Sequence, residues 1–241
     1  MAGKIPARSS QPRVGTYARG TETRLRIIET ALEVFGAVGF EEASTRVIAD
    51  RAGVNLAALH YYFASKQGLY HACAEHIATY GETVIVPFVT RIEAALADPR
   101  MTPRRLRALL RETLDALAER LVSPHDPPSW IAFVLREQMN PTPAYKVLHQ
   151  RVSGRLIGAA AALVGRLMDR PAGAEDTILR TFAMLGPLVI FQRARGATLH
   201  TLGWSDFTGP RLAMVKVVLW DQALGAIGLR PERQGRAPRR T

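Results

Sequence analysis

The chain has 241 residues, of which 47% are hydrophobic, a mean hydropathy of −0.01 and a formal net charge of +11. This composition predicts a globular protein of one large or two modest domains, and no apolar run reaches the ~20 residues that a transmembrane helix needs. The N-terminus lacks the apolar segment of a secretory signal, and the single Cys73 cannot form an internal disulfide. We therefore expect a cytoplasmic protein with no membrane partner.

The positive charge is concentrated in two terminal segments. Residues 1–21 carry four basic side chains and no acid, and residues 229–241 carry five arginines and one glutamate. Together these segments account for eight of the eleven net charges and are rich in Pro, Gly, Ser and Arg. Such segments are usually disordered, so we predict two basic arms. The total charge alone does not identify a nucleic-acid-binding protein.

Apolar residues recur at helical spacing through most of the chain, and strand-like alternation is rare. In chain order, this spacing predicts helices over residues 24–38, two short helices within 44–63, then 65–96, 102–122, 130–138, 144–168, 174–195 and 207–229. Gly36 and Gly39 are expected to end the first helix, and Pro87 to interrupt or kink the fourth. Thr102 and Pro103 suit the cap and first turn of the fifth. The fold class is all-α, with about nine helices.

Residues 44–63 are predicted to form two helices joined by a tight turn. Ser44 is suited to cap the first helix, and Asn55 to cap the second. Gly53 stands where the chain must adopt a positive φ. The second helix turns one apolar face inward, formed by Leu59, Tyr62 and Phe63. This arrangement is that of a helix-turn-helix whose second helix reads bases, although two packed helices of a bundle have the same spacing.

The other side chains of the second short helix are available to a partner. Ala57 and Ala58 are small enough to let the backbone approach a major groove, while His60 and Tyr61 offer hydrogen bonds and flat apolar area. Lys66, at the start of the next helix, is suited to hold a phosphate. The candidate DNA contacts, of which the first two would hold a second phosphate, are Thr45, Arg46, Asn55, Leu56, Ala57, Ala58, His60, Tyr61, Tyr62 and Lys66.

The order of these residues resembles the N-terminal domain of TetR-family transcriptional regulators over residues 23–70. The shared marks are an F-x-x-x-G-F motif at 35–40, T-R-x-I-A at 45–49, A-G-V at 52–54, an aromatic cluster at 60–63 and S-K at 65–66. The resemblance implies a homodimer of three-helix DNA-binding heads, each followed by a larger helical ligand-binding body. We therefore expect a head over residues 22–70 and an effector-binding and dimerisation body over 71–228.

Two positions depart from the commoner form of the family. Position 60, usually tyrosine, is His60 here, and position 57, often glycine or proline, is Ala57. The contact made by His60 is therefore not carried over from a tyrosine. Further along, the stretches FVLREQMNPTPAY (133–145) and TLGW (201–204) resemble the CecR-type C-terminal domain within the family. Members of that branch resemble repressors that are linked to transport and drug-sensitivity genes.

The effector site is less well marked in the sequence. Arg136 and Glu137 fall among apolar residues of a predicted helix, so each is exposed, paired, or placed for a ligand. The aromatic and methionine candidates are equally suited to the core, because pockets in helical bodies are mostly apolar. The candidate effector contacts are Trp130, Phe133, Arg136, Glu137, Met139, Tyr145 and Phe182.

The last predicted helices carry more apolar residues than one buried face needs. In TetR-family regulators the last two helices commonly form a four-helix interface between two copies of the chain. The resemblance therefore implies a homodimer. The candidate interface residues on one side of the last helix are Met214, Val215, Val218, Leu219 and Ala223.

No motif for catalysis or for a cofactor is present: there is no G-x-S-x-G, P-loop, H-E-x-x-H or Rossmann fingerprint. The segment HACAEH contains His71, Cys73, Glu75 and His76, but on a helix these side chains diverge onto two faces. We predict neither an enzyme nor a metal site.

The leading hypothesis is a repressor that binds double-stranded DNA at a pseudo-palindromic operator and is released by a small apolar or amphipathic effector. A transcriptional activator of the same family is one alternative. The other is an interaction protein whose basic arms bind nucleic acid without sequence preference, with a steep dependence on salt.

Overall fold

The computed structural model of the protein describes residues 14–122 and 126–229, so most of both predicted arms lies outside the described residues. Within these ranges the chain forms eleven α-helices and one π-helical turn, with no β-strand. In chain order these are α1 (Val14–Glu42), α2 (Thr45–Arg51), α3 (Leu56–Phe63), α4 (Lys66–Ala97), α5 (Pro103–Val122), α6 (Pro128–Met139), α7 (Pro143–Leu148), the π-helical turn (His149–Ser153), α8 (Gly154–Met168), α9 (Glu175–Arg193), α10 (Arg195–Leu202) and α11 (Gly209–Ala226). The all-α prediction is confirmed.

The first helix differs from its predicted bounds at both ends. It begins at Val14, inside the segment that the sequence assigns to the first basic arm, and it ends at Glu42. Gly39 interrupts the helix with φ 86° and ψ 179°, as predicted, whereas Gly36 is buried within the helix and does not end it.

The region 144–168 is not the single helix that its spacing predicts. A π-helical turn separates α7 from α8, and its last hydrogen bond joins the amide of Gly154 to the carbonyl of His149. A Cβ at position 154 would lie 2.7 Å from that carbonyl oxygen, so glycine permits the wider turn here. Beyond α9, the short helix α10 is also absent from the prediction.

The chain divides into two compact units, which differ from the predicted domains. The first comprises the residues up to Ile77 together with Pro128–Tyr145, and the second comprises Ala78–Pro127 and the residues from Lys146 onward. The sequence places α6 in the ligand-binding body, but the structure groups it with α1 to α3. The reason is that α6 packs along α1.

The core of the first unit is formed where α1, α2, α3, α6 and the start of α4 present their apolar faces. Its fully buried large side chains are Ile27, Ile28, Leu32, Phe35, Ile48, Leu59, Leu69 and Phe133. Tyr70 joins Phe35 to Phe133, with ring centroids 4.8 Å and 4.6 Å away respectively. Aromatic packing of this kind stabilises the unit beyond the apolar area that it buries.

The second unit is built around α5, whose buried residues recur at three- and four-residue intervals. α5 packs against α8, α9 and α11. The predicted cap of α5 is confirmed, because the hydroxyl of Thr102 accepts a hydrogen bond from the amide of Arg105 at 3.3 Å. None of the helices in the described residues is both long and apolar enough to cross a membrane.

The close approach of α6 to α1 depends on Gly36. A Cβ at this position would lie 2.7 Å from the carbonyl oxygen of Ser129 on α6. We expect Gly36→Ala to lower stability on balance, because the strain is against backbone and overpacking costs about 1–3 kcal/mol, whereas alanine gains at most ~1 kcal/mol as a helix former. Gly158→Ala in α8, where nothing lies within 4 Å, should instead leave stability equal or higher. Urea unfolding of both variants checks this, and equal stability of the two would contradict it.

Candidate nucleic-acid interface

The turn between α2 and α3 is fixed by local hydrogen bonds. Gly53 has φ 64°, and its amide and that of Val54 bond back to the carbonyls of Asp50 and Ala49 at 3.1 Å and 3.0 Å. The side chain of Asn55 accepts a hydrogen bond from the amide of Ala58 at 2.7 Å, so the predicted cap of α3 is confirmed. The turn therefore holds α3 at a defined angle.

The prediction that the side chain of Ser44 caps α2 is wrong. Ser44 occupies the cap position with extended backbone, but its side chain makes no capping hydrogen bond. At the opposite end of α2, the guanidinium of Arg26 on α1 donates to the carbonyl of the C-cap residue Ala52 at 2.9 Å. A contact between residues so far apart in sequence leaves no local signal.

One face of α3 has no role in the core. Leu59 and Phe63 are buried and Tyr62 is half-buried, whereas Ala57, His60, Tyr61 and Ala64 are exposed. Ala57, His60 and Tyr61 follow the i, i+3, i+4 spacing of a single helical face, and Ala64 stands at the end of the helix. Tyr61 is 83% exposed, and its ring meets the ring of Tyr62 at 5.4 Å. This ring is therefore available to a partner.

The remaining candidate DNA contacts border this face with different degrees of exposure. Arg46 and Asn55 are exposed. Four others are half-buried: Thr45, Leu56, Ala58 and Lys66. All ten candidates lie in the first unit, on α2, on α3, at the N-cap of α3 and in the first turn of α4.

Lys66 has an intramolecular role that the sequence does not reveal. Its ammonium donates to the carbonyl of Glu41 at 3.0 Å and lies 4.7 Å from the ring centroid of Phe40. The side chain thus holds the end of α1. An ammonium has three N–H donors, so this contact leaves capacity for a phosphate, and that role stays a prediction.

His60 is oriented by the end of its own helix. Its Nδ1 lies 3.3 Å from the carbonyl oxygen of Ala64, a residue with φ 59° that closes α3. A carbonyl can only accept a hydrogen bond, so Nδ1 carries the proton in this contact. On a neutral ring Nε2 is then an acceptor, whereas a tyrosine hydroxyl can both donate and accept.

The helix α6 is joined to α1 by polar contacts as well as by packing. Arg136 donates to the carbonyls of Gly36 and Ala37, at 3.0 Å and 2.5 Å, next to the break at Gly39. The indole of Trp130 donates to Glu29 at 3.0 Å, and the same carboxylate lies 2.9 Å from the Nε2 of His76. Contacts therefore hold α6 near both of its ends.

The carboxylate of Glu137 is the centre of a third contact, and it is 1% exposed. It accepts hydrogen bonds from the hydroxyl of Tyr70 at 2.6 Å and from the amide of Thr142 at 3.1 Å. The hydroxyl of Thr142 adds further bonds at 2.9 Å and 3.1 Å. Burial and the neighbouring Glu137 both raise the pKa of Tyr70 well above its usual range, so this hydroxyl keeps its proton and donates.

The candidate effector contacts are distributed over both units. Six lie in the first unit and Phe182 lies in the second. Trp130, Phe133 and Glu137 are buried, while Met139 is 71% and Phe182 is 52% exposed. Arg136 and Glu137 have the intramolecular partners described above, which gives each a structural role. Their contact with an effector is untested and stays a prediction.

The candidate dimer residues divide into a buried group and an exposed group on different sides of α11. Val215, Leu219 and Ala223 belong to the core of the second unit. Met214 and Val218 are 59% and 49% exposed. The spacing in the sequence does not distinguish these faces, because both carry apolar side chains.

The segment HACAEH does not gather its ligand-type side chains. The Nε2 of His71 lies 3.5 Å from Oε1 of Glu75, whereas the Nε2 of His76 faces Oε1 of Glu29. Cys73 is buried with its Sγ 3.8 Å from the carbonyl oxygen of Ile28, and burial raises the pKa of its thiol. In the part of the chain that the structure describes, no three such side chains form a group that could hold a metal ion.

Comparison with known proteins agrees with this geometry. Residues 27–73 match the family model described as "Bacterial regulatory proteins, tetR family", and residues 106–227 match "HTH-type transcriptional dual regulator CecR, C-terminal domain". The chain belongs to the TetR family. It is therefore a DNA-binding transcriptional regulator of the CecR type, and this family consists of regulators rather than enzymes.

Individual relatives show how far the similarity extends. The HTH-type transcriptional dual regulator CecR of Shigella flexneri is 30% identical over 82% of this chain and 87% of its own. The class C tetracycline repressor of Escherichia coli is 41% identical over 27% of this chain and 29% of its own. The solved structure of a transcriptional regulator from Pseudomonas aeruginosa PAO1 covers 86% of this chain and 91% of its own, with a TM-score of 0.58 and 17% identity, which shows the fold alone.

The contact between Tyr70 and Glu137 should contribute to the stability of the first unit. We expect Tyr70→Phe to lower the free energy of unfolding by about 1.5–3 kcal/mol, because a buried carboxylate loses one of its donors. Tyr61→Phe removes the same hydroxyl from an exposed ring and should leave stability unchanged. Urea unfolding followed by circular dichroism measures both variants. A Tyr70→Phe variant as stable as Tyr61→Phe would show that the hydrogen bond carries no net stabilisation.

Proposed function

We propose that this regulator is a homodimeric repressor that is released from a pseudo-palindromic operator by a small apolar or amphipathic effector. The observation that carries the proposal is the exposed face of α3, where Ala57, His60 and Tyr61 lie free of the core. A helix that presents small residues and a flat aromatic side chain fits the width and the apolar base edges of a major groove.

The proposed DNA contacts divide into two groups. Ala57, Ala58, His60 and Tyr61 would meet base edges, with the Nε2 of His60 as a hydrogen-bond acceptor for an exocyclic amine of adenine or cytosine. The others would position the head on phosphates and sugars: Thr45, Arg46, Asn55, Leu56, Tyr62 and Lys66.

A second copy of the chain is the proposed partner of α9 and α11. These helices pack against each other, and their exposed apolar side chains recur at helical spacing. On α9 they include Leu179, Phe182 and Ile190, and on α11 they include Met214, Val217 and Val218. A two-fold pairing of this surface with itself would bury it and would present two heads to one operator. We therefore assign Phe182 to the interface rather than to the effector site.

Release from the operator requires an effector that binds one conformation better than the other. The helix α6 supports this model, because three of its side chains are fixed to α1 and α4. It follows α5 directly along the chain. A change at the end of α5 would therefore act on a helix that belongs to the DNA-binding unit.

Two alternatives remain distinct in their consequences. The Shigella relative is named a dual regulator, so activation at some promoters is one of them. The other is binding of nucleic acid without sequence preference through the basic termini. Operator binding that survives trimming of residues 1–13 and 230–241 separates a specific regulator from a non-specific one, because non-specific affinity depends on total positive charge.

The direct test is footprinting on the DNA upstream of the chain's own gene, followed by fluorescence anisotropy on the protected site. We expect Tyr61→Ala to weaken operator binding by about tenfold or more, since a lost base contact costs ~1–3 kcal/mol. The folded state should be unaffected because the ring is 83% exposed. Met139→Ala, which removes another exposed apolar side chain of the same unit, is the matched control. Unchanged selective binding by the Tyr61 variant would refute the assignment of α3 as the reading helix.

The dimer surface is tested by placing charge on it. We expect the double variant Phe182→Glu and Val218→Glu to sediment as a monomer of 26.5 kDa, whereas the wild-type chain should have twice that mass. Desolvating two carboxylates per chain costs several kcal/mol, which opposes association. Met139→Glu adds a charge at an exposed apolar position outside α9 and α11 and should leave the dimer intact. A dimeric double variant would place the interface elsewhere.

A further inference from the structure

We propose that the end of α5 is an acid-recognition site, in which Arg120 binds a carboxylate carried by the effector. In the free protein Asp126 occupies the place of that carboxylate. This inference deepens the proposed function, because it names the chemical class of the effector and the contact that the effector replaces.

Arg120 lies in the last turn of α5, and its side chain is 16% exposed. Its Nη2 donates to the hydroxyl of Tyr80 at 2.8 Å and also to the carboxylate of Asp126. The guanidinium carbon lies 5.3 Å from the centroid of the Tyr80 ring. The cation is thus held between an aromatic face and one acid, largely away from water.

The other terminal nitrogen of the guanidinium is unsatisfied. Within the part of the chain that the structure describes, Nη1 of Arg120 is buried and has no hydrogen-bond partner. A buried N–H of a charged group without a partner costs free energy, and such groups in native proteins call for an explanation. Because Asp126 bonds to Nη2 alone, only one of the two terminal nitrogens of Arg120 binds a carboxylate.

A carboxylate is the group that completes this arrangement. Its two oxygens can bridge the two terminal nitrogens of a guanidinium, and such bidentate pairs are among the strongest hydrogen-bonded contacts in proteins. A second cation lies at the same helix end, where Arg195 donates to the carbonyl of Val122 at 2.9 Å and lies 5.1 Å from the ring centroid of Phe207. Two guanidinium groups beside aromatic rings suit an acid that also carries an apolar part.

Replacement of Asp126 by the effector carboxylate affects the segment that precedes α6. It stands two residues before Pro128, where α6 begins. When an effector carboxylate takes its place on Arg120, the segment that leads into α6 loses its ion pair. The contacts of Trp130, Arg136 and Glu137 hold α6 within the DNA-binding unit. The exchange at Arg120 therefore removes an ion pair two residues before the start of a helix that belongs to the DNA-binding unit.

The experiment uses decanoate as an acidic probe and decanamide as its uncharged counterpart, both below the concentration at which they aggregate. Calorimetric titration of the full-length chain should show binding of decanoate that Arg120→Gln weakens by about tenfold or more. Asp126→Asn, which removes the competing charge, should tighten it by about fivefold. Decanamide should bind all three proteins alike.

Glu112→Gln is the matched control, because it frees another arginine of the same unit from an ion pair. Arg91 and Glu112 pair at 2.5 Å with both side chains more than half exposed. This variant should bind decanoate as the wild type does. Circular dichroism establishes that each variant is folded. Should Arg120→Gln prove unfolded, the opposite effect of Asp126→Asn still tests the site.

The experiment distinguishes failure of the acid-recognition site from failure of the proposed function. Failure of decanoate to bind, or binding that ignores both Arg120 and Asp126, overturns the acid-recognition site and identifies the ion pair as purely structural. Operator binding is then measured with and without decanoate. Binding at Arg120 without release of the operator would leave the site in place and overturn release by an acidic effector.

Discussion

The first unit depends on the buried carboxylate of Glu137. A carboxylate removed from water is tolerated only where donors replace the lost hydration, and here the donors are Tyr70 and Thr142. Tyr70 belongs to α4, and Thr142 follows α6, so one side chain fixes three segments of the chain. With one donor missing, the same burial would favour a different packing of α6.

Because of this constraint, α6 packs in a different unit from the helix that precedes it in the sequence. The helix α5 before it and the helix α8 beyond α7 belong to the second unit, but its own contacts are with α1 and the start of α4. Gly36 allows the backbones to approach, Arg136 caps carbonyls beside the break at Gly39, and Trp130 reaches Glu29. Packing, capping and a buried charge thus act on the same helix. A TetR-family head of three helices is extended here by a fourth element that is remote in sequence.

Sequence reasoning succeeded where the signal is local. Gly53 with its positive φ, Asn55 as a cap and Thr102 before Pro103 are each specified within a few residues, and the structure confirms them. It failed where the partner is remote: about a hundred residues separate Arg136 from the carbonyls that it binds, and Lys66 binds the carbonyl of Glu41.

The candidate sites also divide into those with a local signal in the sequence and those without one. The exposed face of α3 could be predicted because its inward positions, Leu59 and Phe63, are fixed by helical spacing. The effector and dimer surfaces could not, because apolar residues occur on both faces of α11. Only three-dimensional packing shows that Val215 and Leu219 turn inward while Met214 and Val218 turn outward.

The difference between the two faces of α11 has a physical meaning for regulation. The inward face joins the core around α5, which ends at Arg120, and the outward face is free for a second copy of the chain. A rigid helix cannot adjust one face without moving the other. In the proposed model, the geometry of the dimer and the state of the acid-recognition site are therefore linked through the packing of a single unit.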